Sequence, residues 1–394
     1  MIISKRSVLF ILISVFILNV AAIIVYTYAP RYILHLGVEK PLMQLIITIF
    51  PLTAFIFPPL YGYMSDKTQN RFLFILFGTL GLNMAFLLLF LYQDLILTVI
   101  LLFFFGFFMA SSSLLMTLFA ELVEDDKKMV SYFNAAIVAG WFVGAQSGGI
   151  FIDFYGIEKI FLFIFILSLP IIAFVAFIRE NRSLIMERYN SKEDIDNSKL
   201  LFNNRDAEKP ISQSIYFGLF FRNFSIKPIM PILAILMFAS LGNDIEVGFL
   251  IGINFLLQFF QMLLIGHIIS IKNIKSFMIS GYILSAISIF GYIISNNFWS
   301  YLFFQILVSF SYSLHWAATT IYIAQNTTPK NKGRYIGYAN TSVFSGSFFG
   351  GLFFSFLLTF NQDYYFSMYF LIIFPLISVL IIFFKFKVIN NKIN

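Results

Sequence analysis

Apolar residues run along this chain in twelve blocks, at roughly 7–29, 42–64, 72–92, 95–119, 131–153, 158–178, 212–236, 245–269, 276–295, 298–322, 335–358 and 364–384, with short polar breaks between them. Each block is about 20 residues long, the length a helix needs to cross a hydrocarbon layer of about 30 Å. Lipid offers no water to backbone N–H and C=O groups, so a spanning segment must pair them within itself, as a helix does. A barrel of strands would alternate apolar and polar positions over about ten residues at a time. No such alternation occurs here. The pattern predicts an all-α integral membrane protein with twelve transmembrane helices.

An even number of spans puts both chain ends on one face, and basic residues decide which. Of the 26 lysines and arginines, 21 fall on the face of the termini: Lys5, Arg6, Lys67, Arg71, Lys127, Lys128, seven in the long middle loop, Lys272, Lys275, Lys330, Lys332, Arg334, Lys385, Lys387 and Lys392. Arg31, Lys40 and Lys159 fall on the other. Short loops rich in Lys and Arg stay in the cytoplasm, so both termini are expected there, in the cell membrane. The middle loop, Arg179 to Pro210, carries seven basic and seven acidic residues. That balance reads as a solvated linker, partly helical at the membrane surface, rather than a binding tail. It divides the chain into an N-terminal six-helix bundle (1–178), a cytoplasmic linker (179–210) and a C-terminal six-helix bundle (211–394).

Composition agrees: 60% of residues are hydrophobic and 11% charged, with a mean hydropathy of +0.88. A soluble chain carries about a quarter charged residues, and this one has too few to solvate a surface. The net charge of +7 sits in short loops, so the expected surroundings are membrane lipid, with no nucleic acid. No cysteine is present, which excludes disulfides, thiolate metal sites and cysteine nucleophiles. The first block is too long for a signal-peptide core and lacks a small-residue cleavage site after it, so it reads as the first span.

The halves repeat each other. Asn19 matches Asn223, Leu36-Gly37 matches Leu241-Gly242, Gly62 matches Gly266, and Asn134, Gly140 and Gly144 match Asn340, Gly346 and Gly350, at offsets of 204 to 206. Repeats flanking a midplane site are how many secondary transporters are built. The loop after the second block reads Gly62-Tyr-Met-Ser-Asp66-Lys67-Thr-Gln-Asn-Arg71, and the fifth block contains Gly140-Trp-Phe-Val-Gly144-Ala145-Gln146-Ser147-Gly148-Gly149. The loop resembles the signature between helices 2 and 3 of the major facilitator superfamily, and the second run is similar to that family's helix-5 motif. The loop lacks a second glycine, and alanine stands at position 145 where the family has proline. Thr328-Pro-Lys-Asn-Lys-Gly333-Arg334 likewise resembles the turn before helix 11, and Glu121 to Lys128 is its first-half counterpart.

The resemblance implies two pseudo-symmetric six-helix bundles that rock about a central site. It makes Gly62, Asp66 and Arg71 a gating loop, with Asp66 latching onto the start of helix 11 when the cleft faces outward, and it makes Gly140, Gly144, Gly148 and Gly149 a packing motif. It also implies that spans 1, 4, 7 and 10 line the cavity, which makes Asn19, Tyr26, Ser112, Met116, Arg222, Asn223, Tyr312, His315 and Trp316 the candidate solute contacts. Span 4 lacks the arginine of many drug–proton antiporters.

Arg222 carries the most information. Either it lies near mid-bilayer in a helix starting at Ser212, facing a cavity or partner because buried charge is costly, or the helix starts at Ser225 and Arg222 is interfacial. Lys227, beside Pro228, is assigned no role. Carboxylates are scarce: Glu121, Asp153, Asp244 and Glu246 all fall near helix ends. His315 has the titration range for a proton relay, though a lone histidine on an apolar helix is more often a packing residue. A coupling proton or ion is left open. Without a GxxxxGK[ST] loop, an HExxH pair or clustered histidines, no metal, cofactor or enzymatic activity is expected. The reading is a monomeric secondary active or facilitative transporter of a small organic solute, with Arg222 favouring an anion. Efflux of amphipathic compounds is the alternative in that class. A non-transporting receptor or scaffold is the alternative outside it.

Overall fold

The computed structural model describes residues 5–123, 127–178, 211–270, 272–327 and 329–386. The linker 179–210 and the acidic residues 124–126 before the fifth span lie outside them. The described chain forms α1 (Arg6–His35), α2 (Lys40–Thr68), α3 (Arg71–Leu91), α4 (Leu95–Ala120), α5 (Ser131–Tyr155), α6 (Ile157–Ala176), α7 (Ser214–Leu241), α8 (Asp244–Ile268), α9 (Ile274–Ile294), α10 (Phe298–Asn326), α11 (Gly333–Phe360) and α12 (Tyr364–Lys385). Eleven are long and apolar enough to cross a membrane. The twelfth, α10, is 29 residues long but breaks its apolar run with Gln305, Ser309, Ser311, Ser313 and His315.

Helix ends follow local chemistry. Asn70, Asp94, Asn243, Asn297 and Asp363 each cap a helix start by accepting a backbone N–H, which satisfies donors that the first turn leaves unpaired. The apolar block ends at Ala29, yet α1 continues through Pro30 to His35. Tyr32 and Ile33 are fully buried there, and a proline deletes only one helical hydrogen bond donor. α1 and α7 both stop at a glycine in the left-handed region, Gly37 at φ +80° and Gly242 at φ +68°. Only glycine adopts that conformation without strain from a Cβ.

The repeat in sequence is a repeat in packing. In the first half α1 packs on α5 and α6, α3 on α4 and α6, and α2 on α4. The second half places α7 on α11 and α12, α9 on α10 and α12, and α8 on α10. A Cβ on Gly140 or Gly144 would lie under 3.0 Å from the backbone carbonyls of Phe16 and Val20 in α1; one on Gly346 or Gly350 would meet those of Phe220 and Phe224 in α7. Asn19 and Asn223 donate to the carbonyls of Val15 and Leu219, each four residues back, at 2.8 and 2.7 Å. Two six-helix halves with one plan result.

The halves meet through α5 on α8, α2 on α11 and α1 on α7. These contacts gather on the face away from the chain ends, here called the far side. Gly149 lies against the Asp244 carbonyl and Gly248 against the Ala145 carbonyl, so glycines on both helices let the backbones approach closely. Ser355 of α11 donates to the Pro41 carbonyl at 2.7 Å, and Lys40 to the Gln362 carbonyl at 2.9 Å. On the termini side, Gly62, Gly266, Gly333 and Gly337 face open space. The second half also has its own apolar core there, built on Ile215, Leu219, Met278, Tyr322 and Ile382. The halves are joined on the far side and separate toward the termini.

Gly144→Leu and Gly350→Leu force side chains into the α1–α5 and α7–α11 seams, an overpacking that costs about 1–3 kcal/mol. Both are expected to lower the thermal denaturation midpoint in detergent, while Gly62→Ala, in open space, leaves it unchanged.

Candidate functional site

α7 brings the first charge into the interior. Arg222 is eight residues from Ser214, the start of the helix, or about 12 Å along its axis at about 1.5 Å per residue. The helix starts at Ser214 rather than at Ser225, so Arg222 lies within it. Its side chain is 2% exposed, so it is enclosed by protein and does not reach solvent in this conformation. Its Nε donates to Ser285 Oγ of α9 at 3.1 Å and Nη1 to Asn223 Oδ1 at 3.2 Å. The guanidinium stands 5.8 Å from the ring centre of Tyr312 on α10. Ser285 and Ser311 hydroxyls are 2.6 Å apart, and Ser311 Oγ donates to the Gly281 carbonyl. Among the described residues no carboxylate reaches Arg222; hydroxyl, amide and ring acceptors hold it.

His315 joins the same cluster. Its Nδ1 lies 2.7 Å from the Ser311 carbonyl. A carbonyl only accepts, so Nδ1 carries the hydrogen. The imidazole is 5.3 Å from Tyr282 and 5.6 Å from Tyr312, and Tyr312 stacks on Trp316 at 6.2 Å. The structure thus brings together Arg222, Asn223, Tyr312, His315 and Trp316. The first-half candidates lie elsewhere. Tyr26 sets its ring edge-on to Phe50 at 5.0 Å and Phe105 at 6.0 Å, and Asn19 backs onto Gly140. Ser112 lies in a 3-10 turn, Ala110–Ser112, and Met116 is half-buried one turn on. Among the described residues, no hydrogen bond or ring contact joins these four to the Arg222 cluster.

Two features escaped the sequence analysis. Lys227 lies at the middle of α7, thirteen residues from Ser214, and is exposed while Ile226, Pro228 and Ile229 around it are buried. It continues a stripe of exposed or half-exposed positions, Gln213, Phe217, Phe220, Phe224 and Lys227, at three- and four-residue spacing from the termini-side end of α7. An ammonium at mid-bilayer is costly against hydrocarbon, so the exposure of Lys227 there points to a polar face rather than a lipid-facing one. Lys227 is within electrostatic range of both Arg222 and His315 and has no hydrogen-bond or acidic partner among the described residues.

The second feature is a ladder of amides. Asn254 Nδ2 donates to Gln305 Oε1 at 2.8 Å, Gln258 donates to Asn254, and Gln261 Nε2 donates to Ser309 Oγ at 2.8 Å. Positions 254, 258 and 261 share one face of α8 at helical spacing, a polar period that would have revealed them.

These observations set two repeated six-helix halves around an exposed lysine at the middle of α7. The sequence profile of the Major Facilitator Superfamily matches residues 8–209 and 215–392. The chain belongs to the major facilitator superfamily. Members of this superfamily are transporters, not enzymes. Over 261 residues the chain is 28% identical to an uncharacterized MFS-type transporter of Methanocaldococcus jannaschii, a match covering 63% of this chain and 64% of that protein. Among solved structures, the fold resembles an auto-inhibited POT family peptide transporter (TM-score 0.79, 12% identity, 98% of both chains). It also resembles the nucleoside transporter NupG (0.76, 14%, 97% of this chain and 100% of that one). A third likeness is to the xylose transporter XylE from E. coli in an inward open conformation (0.74, 14%, 99% and 98%). At such identities the likeness is one of fold.

Within this superfamily frame the far side is closed by an ion pair across the halves. Arg31 of α1 bonds Asp244 at the start of α8 and lies 3.6 Å over the Phe238 ring. Asp244 is 3% exposed. On the termini side Asp66 pairs with Arg71 of its own loop at 3.2 Å. Gly351 of α11 faces Thr48 of α2, and a Cβ there would stand 3.5 Å from the Thr48 Cβ, within the spacing of a disulfide.

In this cysteine-free chain, Thr48→Cys with Gly351→Cys is expected to crosslink under mild oxidation. Adding Asp244→Asn breaks the far-side pair and is expected to reduce the crosslinking rate several-fold, read by gel mobility; an unchanged rate would show that the pair does not hold that side shut.

Proposed function

We propose that the chain is a secondary transporter that carries a small organic anion by alternating access, with Lys227 as its cleft-facing anchor. The observation that supports this is the central charge. Arg222 and Lys227 lie in mid-membrane on α7, one caged and one exposed, and no Asp or Glu accompanies them among the described residues. An oxyanion would supply the opposite charge that the protein withholds, and charge-assisted hydrogen bonds to it are the strong kind. Tyr312 and Trp316, half-buried on α10, supply the flat apolar surface for the organic part.

The chain spans 64% of its archaeal relative's length, and the solved relatives carry peptides, nucleosides or xylose, so the cargo is read from this chain's own residues. In this reading the termini lie in the cytoplasm of the cell membrane, with the lysine-rich loops, and the cleft opens inward. The linker 179–210 ties the two bundles while they rock. In the outward-open state Asp66 leaves Arg71 for the positive end of α11.

A thermal-shift panel of mono-, di- and tricarboxylates and phosphate esters on the purified protein is expected to give at least one stabilising anion. Lys227→Met is expected to weaken that anion at least about tenfold, the loss of one charge-assisted bond, and Lys227→Arg to retain most of it. Stabilisation by neutral compounds alone, indifferent to Lys227, would overturn the anion reading.

A further inference from the structure

The empty carrier must also close its cleft, and closing dehydrates whatever lines it. Arg222 is already enclosed by Ser285, Asn223 and the Tyr312 ring, so its surroundings stay within the second half whichever way the cleft faces. Arginine also keeps its proton. His315 is 1% exposed, with Nδ1 donating to the Ser311 carbonyl. Lys227 differs from both: it is exposed to the cleft, partnerless, and within range of the charge on Arg222. An ammonium sealed into a dry centre beside another cation is strongly disfavoured, and lysine is the cation that can relieve this by losing its proton.

We propose that Lys227 is the proton carrier of the transport cycle, so that the cleft closes around it either as an ammonium paired with an anion or as a neutral amine. This rests on the reading that Lys227 lines the solute path. On the far side the Lys227 ammonium binds an oxyanion, and the neutral pair is carried across. On the termini side the anion leaves into water, the ammonium gives its proton to water and the N–H bonding pair stays on nitrogen as a lone pair. The neutral amine then recloses and is reprotonated on the far side. One proton accompanies each monoanion, and no carboxylate is needed. The other titratable groups near this centre are Arg222 on α7, His315 and Tyr312 on α10, and Tyr282 and Tyr292 on α9; α11 and α12 bring no acid or base to mid-depth.

The test needs no solute. Ser355→Cys reports far-side opening, because Ser355 is buried against Pro41 across the halves, and Gln93→Cys, exposed between α3 and α4, corrects for thiol reactivity. The corrected maleimide labelling rate of the solute-free protein, in a zwitterionic buffer, is expected to rise about tenfold per unit between pH 6 and 8, as a single proton requires. Lys227→Met should label fast at every pH, Lys227→Arg slowly at every pH, and His315→Gln should keep the native slope. A pH-independent native rate, a slope that survives in Lys227→Met or Lys227→Arg, or a slope lost in His315→Gln would overturn the proposal. Anion binding is absent from this measurement, so failure here is distinct from failure of the anion panel.

Discussion

A charge in the middle of a bilayer is tolerated only against water, an opposite charge or a shell of hydrogen-bond acceptors, and α7 meets that demand in two ways. Arg222 has the shell: Ser285, the Asn223 amide oxygen and the face of Tyr312. Lys227, five residues on, is exposed and has no hydrogen-bond or acidic partner among the described residues. A charge so placed demands a polar surrounding in front of it, which is the physical basis for reading the cleft between the halves at Lys227. The rest of the architecture supports that gap without filling it.

Small residues shape the joint between the halves. Where α5 crosses α8 at Gly149 and Gly248, backbone meets backbone, and the Trp141 and Phe255 rings pack across the joint at 5.2 Å. The specific hold is polar and local: Arg31 with Asp244, Lys40 with the Gln362 carbonyl, Ser355 with the Pro41 carbonyl. Within each half glycines again bring helices together. Gly140 and Gly144 are pressed on α1, and Gly346 and Gly350 on α7, so each bundle is closely packed within itself.

Much of this was legible in the chain. All twelve helices lie within a few residues of their apolar blocks, because backbone pairing in lipid leaves little choice of structure. The matched pairs Asn19 with Asn223 and Gly37 with Gly242 turned out to share hydrogen bonds and backbone angles. Less was legible where contacts join residues distant in sequence. Arg31 and Asp244 are 213 positions apart, and nothing local marks them as partners. Lys227 was passed over because a lysine beside a proline has an ordinary explanation; what singles it out is exposure at a depth where exposure to lipid is costly. The amides of α8 did leave a trace, a polar period of three and four within an apolar block, but its partners on α10 emerge only from the packing of the two helices.

That same α10 has a further consequence. With Gln305, Ser309, Ser311, Ser313 and His315 along its length, it partitions into lipid less readily than its neighbours. Several of these side chains find partners on α8 and α9: Gln305 in Asn254 and Tyr292, Ser311 in Ser285 and the Gly281 carbonyl. The helix therefore depends on α8 and α9 to satisfy its polar side chains once it lies in lipid. The cost of burying a polar helix in lipid is thus met by the packing of its neighbours rather than by the helix itself.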